Sequence, residues 1–250
     1  MAGITETGRM KRAIISDIHG NMAALEMVLK DIDTSGVDEI VCLGDCIGYG
    51  PEPEQVVSEI RDRQIPTIIG NHEMATFNKS HLDWFNPLAR SSLEISMAML
   101  SQKSLDYIKQ LPSSRVIGDH RYVHGYPPES ARTYLFQKAP FQLISTFNSM
   151  AERICFVGHT HDLEIIQFDG RQVERWPLTE GPRQLDPAFR YIINVGSVGQ
   201  PRDGNNQAKY MIVEPEQDLI DVRFVSYDIA RTVAKIKAAG MPEAHARRLW

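Results

Sequence analysis

The 250-residue sequence has no long apolar run, no cysteine framework and no excess of basic charge. Lacking any stretch of about 20 apolar residues, it carries no candidate membrane-spanning helix. Met1 to Met10 is polar and has no signal-peptide core, which sets the expectation of a cytoplasmic protein whose start, residues 1–10, is frayed. Its three cysteines, Cys42, Cys46 and Cys155, form no Cys-x-x-Cys pair and are too few for a disulfide scaffold, so they fit a reducing compartment. Cys42 and Cys155 lie inside apolar runs and read as small core residues; Cys46 reads as packing against the sheet. Lys and Arg total 27 against 32 Asp and Glu, a net charge of −5 with no basic tract, which argues against a general electrostatic grip on nucleic acid. There is no internal repeat, low-complexity segment or linker, so residues 1–250 are expected to form a single domain with a generous core. Nothing in the composition fixes the oligomeric state.

What the chain does have is five short apolar runs, each ending in residues that bind metal ions. Ala13 to Ser16 ends in Asp17 with His19, and Ile40 to Gly44 in Asp45. Pro66 to Gly70 ends in Asn71 and His72, Arg121 to Val123 in His124, and Ile154 to Gly158 in His159 with His161. Runs of this length and composition are expected to be buried strands. In open α/β sheets ligands gather beyond the carboxyl ends of strands, so residues far apart in sequence converge there.

Between the runs, helices are expected at about 21–33, with Ala23, Ala24, Met27, Val28 and Ile32 on one face, and at 54–63, giving repeated β-α-β units with parallel pairing. Residues 74–110 turn helical, with a break at Asn86-Pro87, and form a cap-like segment over the site; Trp84, Phe85, Met97 and Met99 would give it an apolar underside or simply face the core. The second half reads as short, mostly antiparallel strands with a helix near 140–150 and helical pattern from Tyr227 to Ala239. Two halves facing one another across a shared core is the expected arrangement.

Five of the eight histidines, two aspartates and an asparagine stand at these run ends. An imidazole-rich set with carboxylates suits Mn, Fe or Zn, with Ni or Co next, better than Ca or Mg. Asp17-Ile18-His19 and His159-Thr160-His161 each place two donors on one side of an extended segment. Asp45 has two oxygens and can join two cations; Asn71 offers an amide oxygen and His124 a ring nitrogen. Each piece alone is weak, and the joint pattern carries the argument.

With those residues in view, the chain resembles the calcineurin-like metallophosphoesterases over almost its whole length, through Asp17-Ile18-His19, Gly44-Asp45, Gly70-Asn71-His72-Glu73, His124-Gly125 and Gly158-His159-Thr160-His161. The stretch from Asn194 to Gly204 also looks like one found in small prokaryotic members. The resemblance implies an α/β fold, a four-layer αββα sandwich of two mixed sheets with the site at the strand carboxyl ends. It implies two divalent metals, the first held by Asp17, His19 and His161, the second by Asn71, His124 and His159, with Asp45 bridging. It also implies attack of a metal-bound hydroxide on a phosphoester, with His72 contacting the phosphate and protonating the leaving group, oriented by a nearby carboxylate. Asn71, His72 and Arg202 are the candidate substrate contacts.

Departures narrow the substrate. Protein Ser/Thr phosphatases and symmetrical dinucleoside tetraphosphate hydrolases resemble each other in a Gly-Asp-x-x-Asp-Arg-Gly run; here Gly48 stands for the second Asp and Tyr49 for the Arg, which removes a bidentate phosphate anchor. Tyr49, Tyr126 and Pro127-Pro128 are expected at the rim, and His81, His120 and His245 match no motif. The expected activity is hydrolysis of phosphodiesters or small phosphomonoesters, against two alternatives: a narrow protein or nucleotide phosphatase, and a non-catalytic scaffold. A scaffold needs neither His72 nor a complete donor set.

Overall fold

The structure, a computed structural model, describes residues 10–250; the start expected to fray lies, Met10 apart, outside the described residues. In chain order the elements are β1 (Arg12–Ile15), α1 (Met22–Thr34), β2 (Glu39–Cys42), α2 (Pro53–Asp62), α3 (Asn71–Phe77), a 3-10 turn (Lys79–Trp84), α4 (Pro87–Ala98), α5 (Gln102–Ile108), β3 (Ser114–Ile117), β4 (His120–Val123), α6 (Pro140–Ser149), β5 (Ile154–Val157), β6 (Leu163–Phe168), β7 (Val173–Pro177), β8 (Gly181–Gln184), β9 (Arg190–Val195), β10 (Ala208–Glu214), β11 (Leu219–Val225), α7 (Ile229–Ala238) and α8 (Glu243–Arg248). They form two mixed sheets, ordered β2-β1-β10-β11-β8 and β3-β4-β5-β9-β6-β7.

The period of two along β1 shows why the layers stack. Ile14 points inward and joins Val41, Leu43, Tyr122, Phe156, Ile193 and Met211 in the core between the sheets, whereas Ala13 and Ile15 point outward beneath Leu25, Val28, Val56 and Ile60 of α1 and α2. The far sheet buries Val123, Cys155, Val157 and Ile192 under Leu143 and Phe147 of α6. Helix, sheet, sheet, helix is the result, the αββα sandwich. No described helix is long and apolar enough to cross a membrane.

Several local expectations fail for identifiable reasons. The run at 66–69 makes only an isolated parallel bridge, Cys42 to Thr67, because Pro66 has no N–H and the Ile69 N–H turns away to the Pro112 carbonyl. The two halves do not form one sheet each: β10 inserts antiparallel beside β1, so the first sheet mixes both ends of the chain. In the second sheet β4, β5 and β9 are parallel, which sets the carboxyl ends of β4 and β5, and hence His124 and His159, on one edge. Strand β8 was not expected, and Met27 is 37% exposed; Leu25 and Leu29 fill that face of α1 instead.

His120 lies far from the run ends that gather at the site, buried edge-on against Phe156 at 5.4 Å, and burial, helped by Arg12, holds its pKa down to about 4. A histidine whose folded pKa is depressed below 6.5 contributes stability above that pH and loses it as pH falls toward 4. His120→Gln is therefore expected to flatten the acid side of the stability profile by up to about 3 kcal/mol, read from urea unfolding between neutral pH and pH 4.

Candidate metal centre

The parallel pairing of β1 and β2 continues past the strands. Asp17, His19 and Gly20 donate their N–H groups to the carbonyls of Gly44, Asp45 and Cys46 at 3.1, 2.9 and 2.8 Å, which zips the two donor-bearing loops together. Of the eight non-glycine residues with left-handed backbone among those described, six are here: Asp17, His19, Asp45, Tyr49, His159 and His161. Such conformations cost about 1–3 kcal/mol each and persist only where the surroundings over-determine them. Gly70 and Gly158 admit the carboxylates; a Cβ would lie 2.0 Å from Asp45 Oδ1 at the first and 2.4 Å from Asp17 Oδ2 at the second.

Four of the histidines are each locked by a carbonyl. Nδ1 of His19, His124 and His161 donates to Ile47 O (2.8 Å), Leu43 O (2.8 Å) and Gln200 O (2.6 Å), and Nε2 of His159 donates to Arg132 O (3.1 Å). A carbonyl only accepts, so the bonded nitrogen carries the proton, and in the neutral ring the other nitrogen presents a lone pair to the site. The carboxylates are divided likewise. Asp17 Oδ2 accepts from Ser16 Oγ and the His159 N–H, while Oδ1 is buried with no hydrogen-bond partner, 3.2 Å from His161 Nε2 and 3.7 Å from His19 Nε2. Asp45 Oδ1 accepts from the His72 N–H, and Oδ2 lies 3.2 Å from His124 Nε2 and 3.8 Å from His19 Nε2, between the two groups. Asn71 Oδ1 is 3.2 Å from His124 Nε2.

This donor set fits cations. His19 Nε2 and His161 Nε2 face each other at 3.0 Å beside an orphaned carboxylate oxygen, and with both rings neutral two lone pairs meet there. Three groups, Asp17 with His19 and His161, Asp45 with His124 and His159, and His19 with Asp45 and His72, each bring their donor atoms within 4.8 Å of one another. Burial resists charge on His124, but Asp45, Asp17 and Glu73 prevail and drive its pKa up to about 10, a proton standing where a cation would. Burial, with His124 beyond it, pushes His159 down to about 3. Burial would raise Asp17 and Asp45, yet the surrounding histidines hold both well below the ordinary carboxylate range.

His72 has a carboxylate nearby, Asp45 Oδ2 at 3.8 Å from Nε2, but none on the ring's other nitrogen. Its Nδ1 is buried without a partner, and a Cβ at Gly48 would lie 2.1 Å from that atom, so position 48, where the longer pattern has Asp, has room for no side chain beside this ring. Packing orients it instead, from Phe85 and His19 at 4.7 Å and Tyr49 at 4.9 Å. Desolvation keeps it neutral, its pKa well below 6.5.

Glu73 is the structural residue the sequence reading passed over. Fully buried, it accepts from the N–H groups of Asp45 (2.8 Å), Cys46 (2.7 Å), Ile47 (3.2 Å) and Gly70 (3.0 Å) and so holds the Asp45 loop against α3. The signal was available: a Glu three residues after Gly70 at a helix start is placed to reach back to the cap N–H. Glu73→Ala strands four buried donors and is expected to cost about 3 kcal/mol or more, measured by urea unfolding of the metal-free protein.

Beyond the donors opens a cavity of about 360 Å³ lined by Asp45, Asn71, His72 and His159 on the floor and by Trp84, Tyr134, Arg132 and Arg202 among its walls. A family model described as the calcineurin-like phosphoesterase superfamily domain matches residues 10–218. The chain belongs to this superfamily. Over 246 residues it is 36% identical to an uncharacterized protein of Methanocaldococcus jannaschii, covering 95% of this chain and 96% of that one. It is 37% identical to a metallophosphoesterase from Sphaerobacter thermophilus, whose crystal structure superposes with a TM-score of 0.82 over 97% of this chain and 98% of that one. A hypothetical protein from Pyrococcus horikoshii, 18% identical with a TM-score of 0.74 over 96% and 98% of the two chains, shares the fold.

In this superfamily member the nine donors and contacts named from the sequence divide by burial. Asp17, His19, Asp45, Asn71, His72, His124, His159 and His161 are buried together, and Arg202, which is exposed, joins the pocket wall beside Tyr49. Tyr49 lines the pocket as expected, whereas Tyr126 is buried under α6 with its hydroxyl on Thr146. Trp84 and Phe85 face the pocket, Met97 packs on the core and Met99 is exposed. His245 packs against Tyr49 at 4.9 Å, and Cys46 lies 3.8 Å from Cys42, both thiols buried.

Proposed function

We propose that the protein is a dinuclear metal-dependent phosphoesterase that hydrolyses small phosphodiesters or phosphomonoesters in a reducing, cytoplasmic setting. The observation that carries this is the set of four histidines, each fixed by a backbone carbonyl so that its free nitrogen converges with Asp17 and Asp45. Asp17, His19 and His161 would hold one ion; Asn71, His124 and His159 the other; Asp45, whose Oδ2 lies between His124 and His19, would bridge them. Mn, Fe and Zn suit this mixture of nitrogen and oxygen donors, with Ni or Co next. When bound, two such ions make a water-derived nucleophile available near neutral pH and offset the negative charge of the phosphoryl oxygens.

The chain's own residues supply the rest. His72, in its protonated form, would donate from Nε2 to the leaving oxygen and return to the neutral ring, because its Nδ1 is shut against Gly48. Arg202, lying beside the Tyr49 hydroxyl, would return the positive charge that Tyr49 removes from the Gly-Asp-x-x-Asp-Arg-Gly pattern. A cavity of about 360 Å³ favours a small molecule over a phosphoprotein or a long nucleic acid. Backbone strain gathered at six donor-loop residues argues against a scaffold, which has no use for it.

Protein reloaded with Mn²⁺ is expected to hydrolyse bis-p-nitrophenyl phosphate or p-nitrophenyl phosphate, and the faster of the two assigns diester or monoester preference. No turnover of either by protein with two bound metals would sink the general phosphoesterase reading in favour of narrow specificity or a scaffold.

A further inference from the structure

The walls of the pocket are charged in one sense. Asp45 is the single carboxylate among the lining residues, and it belongs to the floor; above it stand Arg132 and Arg202 with the amides of Asn86 and Gln137. Most arginines elsewhere on the surface are spent on carboxylates: Arg63 on Glu59 and Asp33, Arg90 on Glu94, Arg121 on Glu152, Arg175 on Glu164. The Arg132 guanidinium, by contrast, has no hydrogen-bond or ion-pair partner among the described residues.

It is nonetheless held. Its Cζ lies 4.6 Å from the centroid of the Trp84 ring, and Trp84 is itself stacked on His81 at 3.7 Å and 20°. The Arg132 carbonyl accepts from His159 Nε2, so the main chain is tied to the donor loop while the side chain reaches across to the 3-10 turn that precedes α4. A cation–π contact fixes the plane of a guanidinium and leaves its N–H donors free. The aromatic rings here are not vacant platforms for a nucleobase: Tyr134 is stacked on His159 at 4.0 Å and on Phe136 at 5.1 Å.

We propose that Arg132, presented by Trp84, is a specificity-determining anion site, and that the substrate is a small phosphoester bearing a second anionic group, carboxylate or phosphate, beyond the phosphoryl that reacts. This rests on the phosphoesterase reading above. The floor takes the reacting phosphoryl, and Arg132 takes the second charge at the wall formed by the 79–84 turn. That turn falls within the segment expected to cap the site, and its role here is to aim a cation.

The test uses non-hydrolysable ligands, so it does not depend on turnover. Mn²⁺-loaded protein is titrated calorimetrically with alkylphosphonates, with ω-phosphonocarboxylates of matched length and with the matching α,ω-bisphosphonates, over a ladder of chain lengths. At least one doubly anionic ligand is expected to bind about tenfold tighter than its alkylphosphonate, and the chemistry with the larger margin identifies the second group. Arg132→Ala is expected to erase that margin, weakening the doubly anionic ligand far more than the alkylphosphonate; Trp84→Leu, which removes the platform, is expected to reduce it. A margin absent at every length, or retained in Arg132→Ala, overturns the proposal. If alkylphosphonates themselves do not bind, the phosphoesterase reading fails and this one falls with it, a result distinct from the loss of the margin alone.

Discussion

Asp45→Asn is expected to lower phosphoester turnover by at least about a thousandfold and to leave the protein with fewer bound cations than the wild type. The substitution is nearly isosteric, so the two structural duties of the side chain survive it: an amide oxygen can still accept the His72 N–H, and the backbone links to Glu73 and His19 are untouched. What goes is the negative charge on Oδ2, which lies 3.2 Å from His124 Nε2 and 3.8 Å from His19 Nε2 and so serves both donor groups. An amide can serve one ion with its oxygen and would turn N–H toward the other. The expected sign is a fall in metal content by elemental analysis together with the loss of activity, with thermal unfolding of the metal-free variant close to that of the wild type. Retained metal pairing with wild-type turnover would remove Asp45 from the bridge; collapse of the metal-free fold would show that its charge is structural instead.

Much of the architecture was legible because the strands that matter are short, apolar and capped by donors, and that pattern survives translation into space. The αββα layering is in the sequence as the double burial of β1, where Ala13, Ile14 and Ile15 are apolar on both faces. Three features could not be read. Sheet membership was hidden because pairing β10 with β1 joins residues some 200 positions apart, and alternation says which face is buried but not which neighbour covers it. The left-handed backbone at Asp17, His19, Asp45, His159 and His161 leaves no composition signal, since none of them is glycine. Arg132 was invisible for a third reason: an arginine in a loop looks the same whether it dangles in solvent or lies over a tryptophan 48 positions away. Glu73, quoted as part of Gly-Asn-His-Glu, was legible in type and passed over in role, because four backbone donors converge on it only once the Asp45 loop has been folded against α3.

The sharpest separation between binding and proton transfer comes from His72. His72→Ala is expected to spare metal content and to cost about a hundredfold in kcat on esters of alkyl alcohols, the low end of what a positioned acid contributes, while hydrolysis of p-nitrophenyl esters, whose leaving group needs no proton, changes little. The low end is argued from the structure: the ring has no carboxylate on Nδ1 to stabilise a charged imidazole, and desolvation keeps it neutral. Gly48 turns this into a second, independent test. A methyl group there would begin 2.1 Å from His72 Nδ1, on a backbone at φ +86 that disfavours any side chain, so the ring must move away from the leaving-group position. Gly48→Ala is therefore expected to reproduce the leaving-group dependence of His72→Ala with all metal-donor side chains intact, whereas a Gly48→Ala variant that slows both classes of ester equally would mean that the loop after Asp45, and not the imidazole, sets the rate. If alkyl esters prove indifferent to both substitutions, protonation of the leaving oxygen comes from elsewhere, and His72 is left as a contact to the phosphoryl group.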